Sequence, residues 1–284
     1  MNTVSGAAIT NSGSHSIRFY NEAVCDVIFS VANNRLTGTG ERSIVQMTRN
    51  DMNAAGEPTA RLFCKVPHVF AYNATLLLGY DTKGSKPYCG FIDLCGNDQG
   101  FAAAYGHGAD VQSFQINGKP QGAYSIVTST NGPALLCSRH TGDVSTWWTF
   151  KGAAGYRMEG PGGITLMTSS ESTGALCVTN GTMTIPSGIT WRNCSRVVAS
   201  DNGTFCLEES RAFGPGTEVR LSGNGKMNLA SGVQATAGFL FLDGNEKPLL
   251  GDWGSPESGA AHTSSHFTGT GKIRFGSQFI IIFR

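Results

Sequence analysis

Charge is what this chain has least of. Asp, Glu, Lys and Arg make up 14% of its 284 residues, against about 25% in an average soluble domain. The formal net charge is +1, and the lysines and arginines form no cluster along the sequence, so the footprint of a nucleic-acid binder is missing. No apolar stretch reaches the ~18–20 residues of a membrane-spanning helix. Helical patterning is nearly missing as well: only Ile44 to Ala55 has a helical flavour, and it is polar on most faces. There is no Cys-x-x-Cys, no paired Cys/His spacing of the zinc type, no nucleophile elbow, no P-loop and no dinucleotide fingerprint. Gly223-Asn-Gly225 is a turn between strands, since a phosphate cradle needs a following helix. Calcium-binding nonapeptide repeats are lacking too. The expectation is therefore a chain with no cofactor and no metal site. Met1-Asn-Thr-Val-Ser-Gly6 lacks the basic start and apolar core of a secretory signal. Either the protein stays inside the cell or its export signals lie elsewhere in a longer parent, and the second reading is favoured.

Glycine and short apolar runs fill the space that charge leaves. The chain has 38 glycines, roughly twice the usual ~7% share, and its 40% hydrophobic residues include 16 phenylalanines that can fill a core. Strand signals recur along the whole length, among them Ser16–Tyr20, Arg61–Lys65, Gly90–Leu94, Ala134–Ser138, Trp147–Phe150, Ile164–Met167, Ala175–Val178, Met183–Ile185, Thr204–Leu207, Glu218–Leu221, Lys226–Leu229, Phe239–Leu242 and Lys272–Phe275. The last signal is Gln278–Phe283, an uncharged and strongly β-forming stretch. These runs are short, and a three-residue strand cannot hold a sheet alone. Stacked on the same strand of the next turn, it joins a continuous ladder. Glycine and asparagine supply the corners because they enter positive-φ conformations at low cost. A degenerate repeat is visible in Gly163-Ile-Thr-Leu, Gly174-Ala-Leu-Cys-Val, Gly181-Thr-Met-Thr-Ile and Gly225-Lys-Met-Asn-Leu. Each is a glycine followed by an alternating apolar pair, which predicts an all-β fold of the β-solenoid type. The rival is a hairpin sandwich, because Asn-Gly at 117, 131, 180 and 202 also favours hairpin turns.

Eight cysteines stand at 25, 64, 89, 95, 137, 177, 194 and 206. Cys137 and Cys177 lie in strand-like apolar contexts and are expected as small buried hydrophobes. Cys89 and Cys95 flank Phe91–Leu94 closely enough to pair across a turn, and they form the disulfide expected here.

Several segments together resemble the autotransporter-associated β-strand repeat proteins of bacteria. Gly160-Pro-Gly-Gly-Ile-Thr-Leu166 is similar to the first strand of that repeat, and Gly174-Ala-Leu-Cys-Val178 to its second. Phe91-Ile-Asp-Leu-Cys-Gly-Asn-Asp-Gln99 resembles an upstream segment of the family. Asp243 through Phe275, with Trp253-Gly254 and His266-Phe-Thr-Gly-Thr-Gly271, resembles its closing element. The likeness covers roughly residues 74 to 276 and is cumulative. The chain departs from the family in having no signal peptide, no C-terminal membrane barrel and more cysteines. What the resemblance implies is a right-handed parallel β-helix with a C-terminal closing element, from a surface or secreted protein. The expected division is 1–73 as a β-rich N-terminal segment forming the first turns, 74–237 as the β-helix, and 238–284 as the closing element.

Residues able to carry chemistry are few. Glycoside hydrolysis needs two carboxylates on one face, ~5–9.5 Å apart. Asp93 and Asp98 are the closest suggestive pair, but they read as a solvated strand position and a turn cap. Glu208 and Glu209 point to opposite faces of a strand. His107 is isolated. Arg139 beside His140 disfavours the imidazolium, which leaves a neutral ring able to act as a base. His262 and His266 have a ligand-like spacing only on a helix, and their segment reads as loop and strand. Trp253 is expected to cap the end of the coil. Trp147 and Trp148 are the candidate ligand-binding residues: on a strand one ring faces in and the other out, where it can stack on the apolar face of a sugar. The other reading is that one fills the core and the other covers an edge. The expected function is therefore a non-catalytic bacterial surface or secreted protein of structural or adhesive type, able to bind extracellular glycans or cell-surface partners. The alternative is a carbohydrate-active enzyme, a polysaccharide lyase or glycoside hydrolase, on the same architecture. A groove gathering Asp, Glu, Lys, Arg and His would favour the enzyme, and a flat Ser/Thr face would favour the scaffold.

Overall fold

Alternation of apolar and polar residues sets each strand and aims its side chains. In Arg196–Leu207, Val197, Ala199, Phe205 and Leu207 are buried while Val198, Ser200, Thr204 and Cys206 are only partly so. The computed structural model describes residues 2–4, 16–20, 25–30, 44–48, 60–70, 74–78, 90–105, 115–116, 119–120, 125–248 and 250–276. Among these every regular element is a strand. Ile44–Thr48, expected to lean towards helix, is one of them and pairs in parallel with Ser16–Tyr20 and Thr75–Leu78. Its β-branched start suits a pleated surface better than a helix. The strand expected at Gln278–Phe283 lies outside the described residues, as do Cys89 and His107.

The strands stack in parallel, in the order in which the chain lays them down. Ile126–Ser138, Thr149–Met158, Leu176–Ile185, Arg196–Leu207, Glu218–Leu221 and Phe239–Leu242 form six consecutive rungs. A second ladder runs beside the first through Asp143–Thr146, Gly163–Leu166, the later halves of Leu176–Ile185 and Arg196–Leu207, then Lys226–Leu229 and Phe267–Thr268. Register partners on neighbouring rungs are 19 to 23 residues apart in this part of the chain, except at the last step of the second ladder, where Met227 pairs with Phe267, 40 residues on. Nearer the N-terminus, where Cys25–Phe29, Ala60–Cys64 and Phe91–Asp93 continue the first sheet, the separation is 30 to 37. Long parallel sheets of this order and register are consistent with a β-solenoid.

The Asn-Gly dipeptides divide between the two roles foreseen for them. Asn180-Gly181 and Asn202-Gly203 lie inside long strands that pair in parallel, at a shift of register that bends the chain from one ladder to the other. The strands flanking Asn117-Gly118 instead pair antiparallel. A hairpin turns at Asp243-Gly244, both with positive φ, and folds Asn245–Glu246 back on the last rung.

Between the ladders the inward side chains line up in files. One runs Leu136, Tyr156, Leu176, Val197, Val219, Leu240, and another Ile164, Met183, Phe205, Met227, Phe267, all of them buried. Phe150 packs on Trp191 at 5.1 Å and on Tyr156 at 6.0 Å between ring centroids. The closing segment adds a small mixed sheet, in which Lys272–Phe275 pairs in parallel with Gln234–Ala237 and antiparallel with Asp252–Gly254.

The corners are crowded because adjacent rungs approach closely. Gly181 has φ +70, and a Cβ there would stand 2.1 Å from the Gly162 carbonyl oxygen. Gly232 has φ +82, but a Cβ there would meet nothing within 4 Å. Gly232→Ala should therefore cost about 1–2 kcal/mol for the left-handed conformation alone. Gly181→Ala should cost clearly more, since the neighbouring rung must move as well. Urea denaturation of the two variants tests this, and equal midpoints would contradict close inter-rung contact at the corner.

Candidate functional site

The outward residues of the second ladder build a flat, hydroxyl-rich face. The register places Ser145, Thr165, Thr184, Cys206, Asn228 and Thr268 in one file. Asp143, Gly163, Thr182, Thr204 and Lys226 form a parallel file. Successive members stand one inter-strand spacing apart, ~4.8 Å. The strand expected at Trp147–Phe150 begins only at Thr149, so Trp147 lies just past the strand Asp143–Thr146, two residues beyond Ser145. Trp147 is half-buried, and its carbonyl accepts a bond from the Thr168 hydroxyl at 2.8 Å. Trp148 points the other way and is 1% exposed, so its ring belongs to the core, and only Trp147 stands at the surface beside the hydroxyls. Trp253 is buried in the closing segment, stacked on His262 at 4.9 Å, with its indole N–H donating to the Pro248 carbonyl.

The carboxylates weighed as an acid/base pair serve the backbone instead. Asp93 is buried rather than solvated: its Oδ1 accepts from the Cys95 and Thr130 amides, at 2.8 and 3.2 Å, and its Oδ2 from the Thr130 hydroxyl at 2.8 Å. Cys95 has φ +50 at that corner, so the Asp93 carboxylate holds a strained turn in place. Asp98 accepts from the Leu135 amide at 2.8 Å and so braces the next rung. Glu209 is held below the usual carboxylate range by the Arg211 and Gly188 amides, each at 2.8 Å. The expected Cys89–Cys95 disulfide is not formed, because Cys95 is a free thiol engaged with Asp93 and Lys65. Cys64, Cys137, Cys177, Cys194 and Cys206 are free too. Burial pushes the thiols of Cys137 and Cys194 up to about 12, so at neutral pH these two behave as the small hydrophobes they pack among.

His140 is neutral for a different reason from the one its neighbour suggested. Its ring is buried, and the desolvation of the imidazolium, rather than Arg139, lowers it to about 4, against an opposing bond to the Ala104 carbonyl at 3.1 Å. The Tyr156 hydroxyl lies 3.3 Å from the same nitrogen and 2.5 Å from Ser138 Oγ. Burial raises Tyr156 well above its ordinary value. This Ser-Tyr-His chain is inside the fold, where it satisfies its own polar groups.

His266, weighed as a metal ligand, joins two parts of the chain. Nδ1 lies 2.9 Å from the Gly225 carbonyl on the second ladder, and Nε2 lies 3.1 Å from Asp243 Oδ2 in the terminal hairpin. The bond from His266, with that from the Gly223 amide, holds Asp243 below its ordinary value. Among the described residues no three His, Cys, Asp or Glu side chains are grouped to hold a metal ion.

What sequence reasoning missed is the outer face of the first sheet. Arg139 and Arg157 there share Glu159, while Arg196 and Arg220 share Glu218. The signal was present as charges alternating with apolar residues, but a file of neighbours emerges only when the register is known.

Comparison with known proteins finds no matching protein family, no matching curated relative and no matching solved structure.

Burial of neutral His140 links folding to pH. Its folded value of about 4 lies below the ~6.5 of an unfolded chain, so between those values the unfolded state binds more protons. Stability from this group is complete above about pH 6.5 and falls as pH drops towards 4, by up to ~3 kcal/mol. Urea midpoints at pH 7 and pH 4.5 should therefore diverge in the wild type and converge in His140→Gln. An unchanged difference would show that this imidazole does not drive acid unfolding.

Proposed function

We propose that this chain is part of a right-handed parallel β-helix that serves as a non-catalytic surface or secreted scaffold of bacterial type. Its adhesive role is to hold glycans against the hydroxyl face, with Trp147 as the stacking platform. The observation that carries the reading is that file of Ser145, Thr165 and Thr184 leading away from a half-buried tryptophan. Sugars are recognised by hydroxyl partners set around an aromatic ring, and a flat strip accommodates a chain of them. The motif resemblance to autotransporter-associated repeats and the low charge support the same reading.

A carbohydrate-active enzyme is the second reading, and the observation in its favour is the gathering of Arg139, Arg157 and Glu159 on the neighbouring sheet. Incubation of the chain with neutral and acidic polysaccharides separates the two. Retention without shortening of the polymer supports the scaffold, and reproducible depolymerisation overturns it.

Trp147→Ala should lower retention on immobilised neutral polysaccharides about tenfold, equal to ~1.4 kcal/mol, with the thermal midpoint little changed. Trp148→Ala should instead cost about 3–5 kcal/mol of stability through the cavity it leaves. Undiminished retention by folded Trp147→Ala would sink the proposed platform.

A further inference from the structure

The first sheet has an outer face of its own, and its last rungs hold an arrangement that the hydroxyl face lacks. Arg196, Glu218 and Phe239 are register neighbours in one file, and Val198, Arg220 and Phe241 in the next. Glu218 Oε2 accepts from Arg196 Nε at 3.1 Å and from Arg220 Nε at 2.9 Å. Two guanidiniums thus share one carboxylate, and one positive charge is left over. Both reach Glu218 through Nε, and neither has another ion-pair partner among the described residues. Their terminal nitrogens remain as donors, in the fork geometry that suits a second carboxylate. The Arg220 guanidinium lies over the Phe241 ring, 4.1 Å from its centroid, within reach of a cation–π attraction. Phe239 beside it is 41% exposed. On the next rung Cys177 is the register neighbour of Val198; it is buried and engages the Arg157 side chain.

We propose that the outward face of the last three rungs, built from Arg196, Glu218, Arg220, Phe239 and Phe241, takes the carboxylate-bearing sugar of an acidic glycan. The inference rests on the reading of the chain as a glycan scaffold, but it uses a different sheet from Trp147. The two arginines receive the uronate carboxylate, and Phe239 receives the apolar face of the same or the adjoining ring. Glu218 is the competitor that tunes the site. Its burial alone would raise it, but the bonds from Arg220 and Arg196 outweigh that and hold it below the usual carboxylate range. It stays ionised at neutral pH and occupies part of the cationic capacity. Glu246 is exposed and is the register neighbour of Phe241, so it is a second carboxylate at the edge of the site. The remaining charges lie further along the face: Asp98, Arg139, Arg157 and Glu159 towards the first rungs, and Asp243 engaged with His266 at the end.

Polygalacturonate and its methyl-esterified form test this, since they share a backbone and differ in the free carboxylate. The wild type should retain the free acid more strongly than the ester, and salt should weaken that preference. Arg196→Met and Arg220→Met should each lower retention of the acid about tenfold and leave the ester unchanged. Glu218→Gln should raise retention of the acid severalfold. Exposed ion pairs contribute only ~0–1 kcal/mol to folding, so all three variants should fold. Arginine variants that retain the acid as the wild type does, or a Glu218→Gln variant that retains it less, would overturn the inference. Neutral retention through Trp147 with no discrimination between the two forms would overturn it as well, and leave the scaffold reading standing. Discrimination that survives in Trp147→Ala, with neutral retention unaffected, would support this site and remove the Trp147 platform.

Discussion

Backbone pairing between successive rungs is the constraint on which everything else in this chain depends. A strand such as Glu218–Leu221 has four residues and could not persist alone. Its register with Arg196–Ala199 on one side and Phe239–Leu242 on the other supplies its partners and aligns its side chains. Once that register is set, Val219 and Leu221 must enter the inward files, while Glu218 and Arg220 must enter the outward ones. A slip of one residue would exchange the two sets. The core, the flat hydroxyl face and the charged aromatic face thus follow from a single geometric condition applied rung after rung.

Much of that condition was legible beforehand. The strands Glu218–Leu221, Lys226–Leu229, Phe239–Leu242 and Lys272–Phe275 agree residue for residue with their apolar alternation. Elsewhere pairs of short predicted strands proved to be one long element: Ala175–Val178 and Met183–Ile185 join through Asn180-Gly181 within Leu176–Ile185. The dipeptide reads as a break because its local signal is a turn, whereas parallel neighbours on both sides carry the ladder across it. Only tertiary contact decides that outcome. It also decided that Asn117-Gly118 lies between antiparallel strands while Asn202-Gly203 bends a parallel one.

The site was less legible than the fold. Trp147 and Trp148 fall between the strands Asp143–Thr146 and Thr149–Met158, and which of the two rings enters the core is settled by the packing there. Asp93 looked solvated because it alternates with Ile92 and Leu94, yet a corner two residues later needed its carboxylate. His140 had a visible charged neighbour, but its burial is a property of the packed coil. The Arg196, Glu218 and Arg220 cluster draws its members from two strands that are 22 residues apart in register. No local window contains it.

Parallel stacking also fixes how such a chain would answer to load. The bonds that join one rung to the next point along the stacking direction, so tension applied through the two ends would strain a single interface at a time. Each failure between these rungs would release the residues of one turn, 19 to 23 of them, or about 70 Å of extended chain. The turns beyond would remain paired. A tether of this construction would lengthen in steps under flow and shorten again as each released turn found the template of its neighbour.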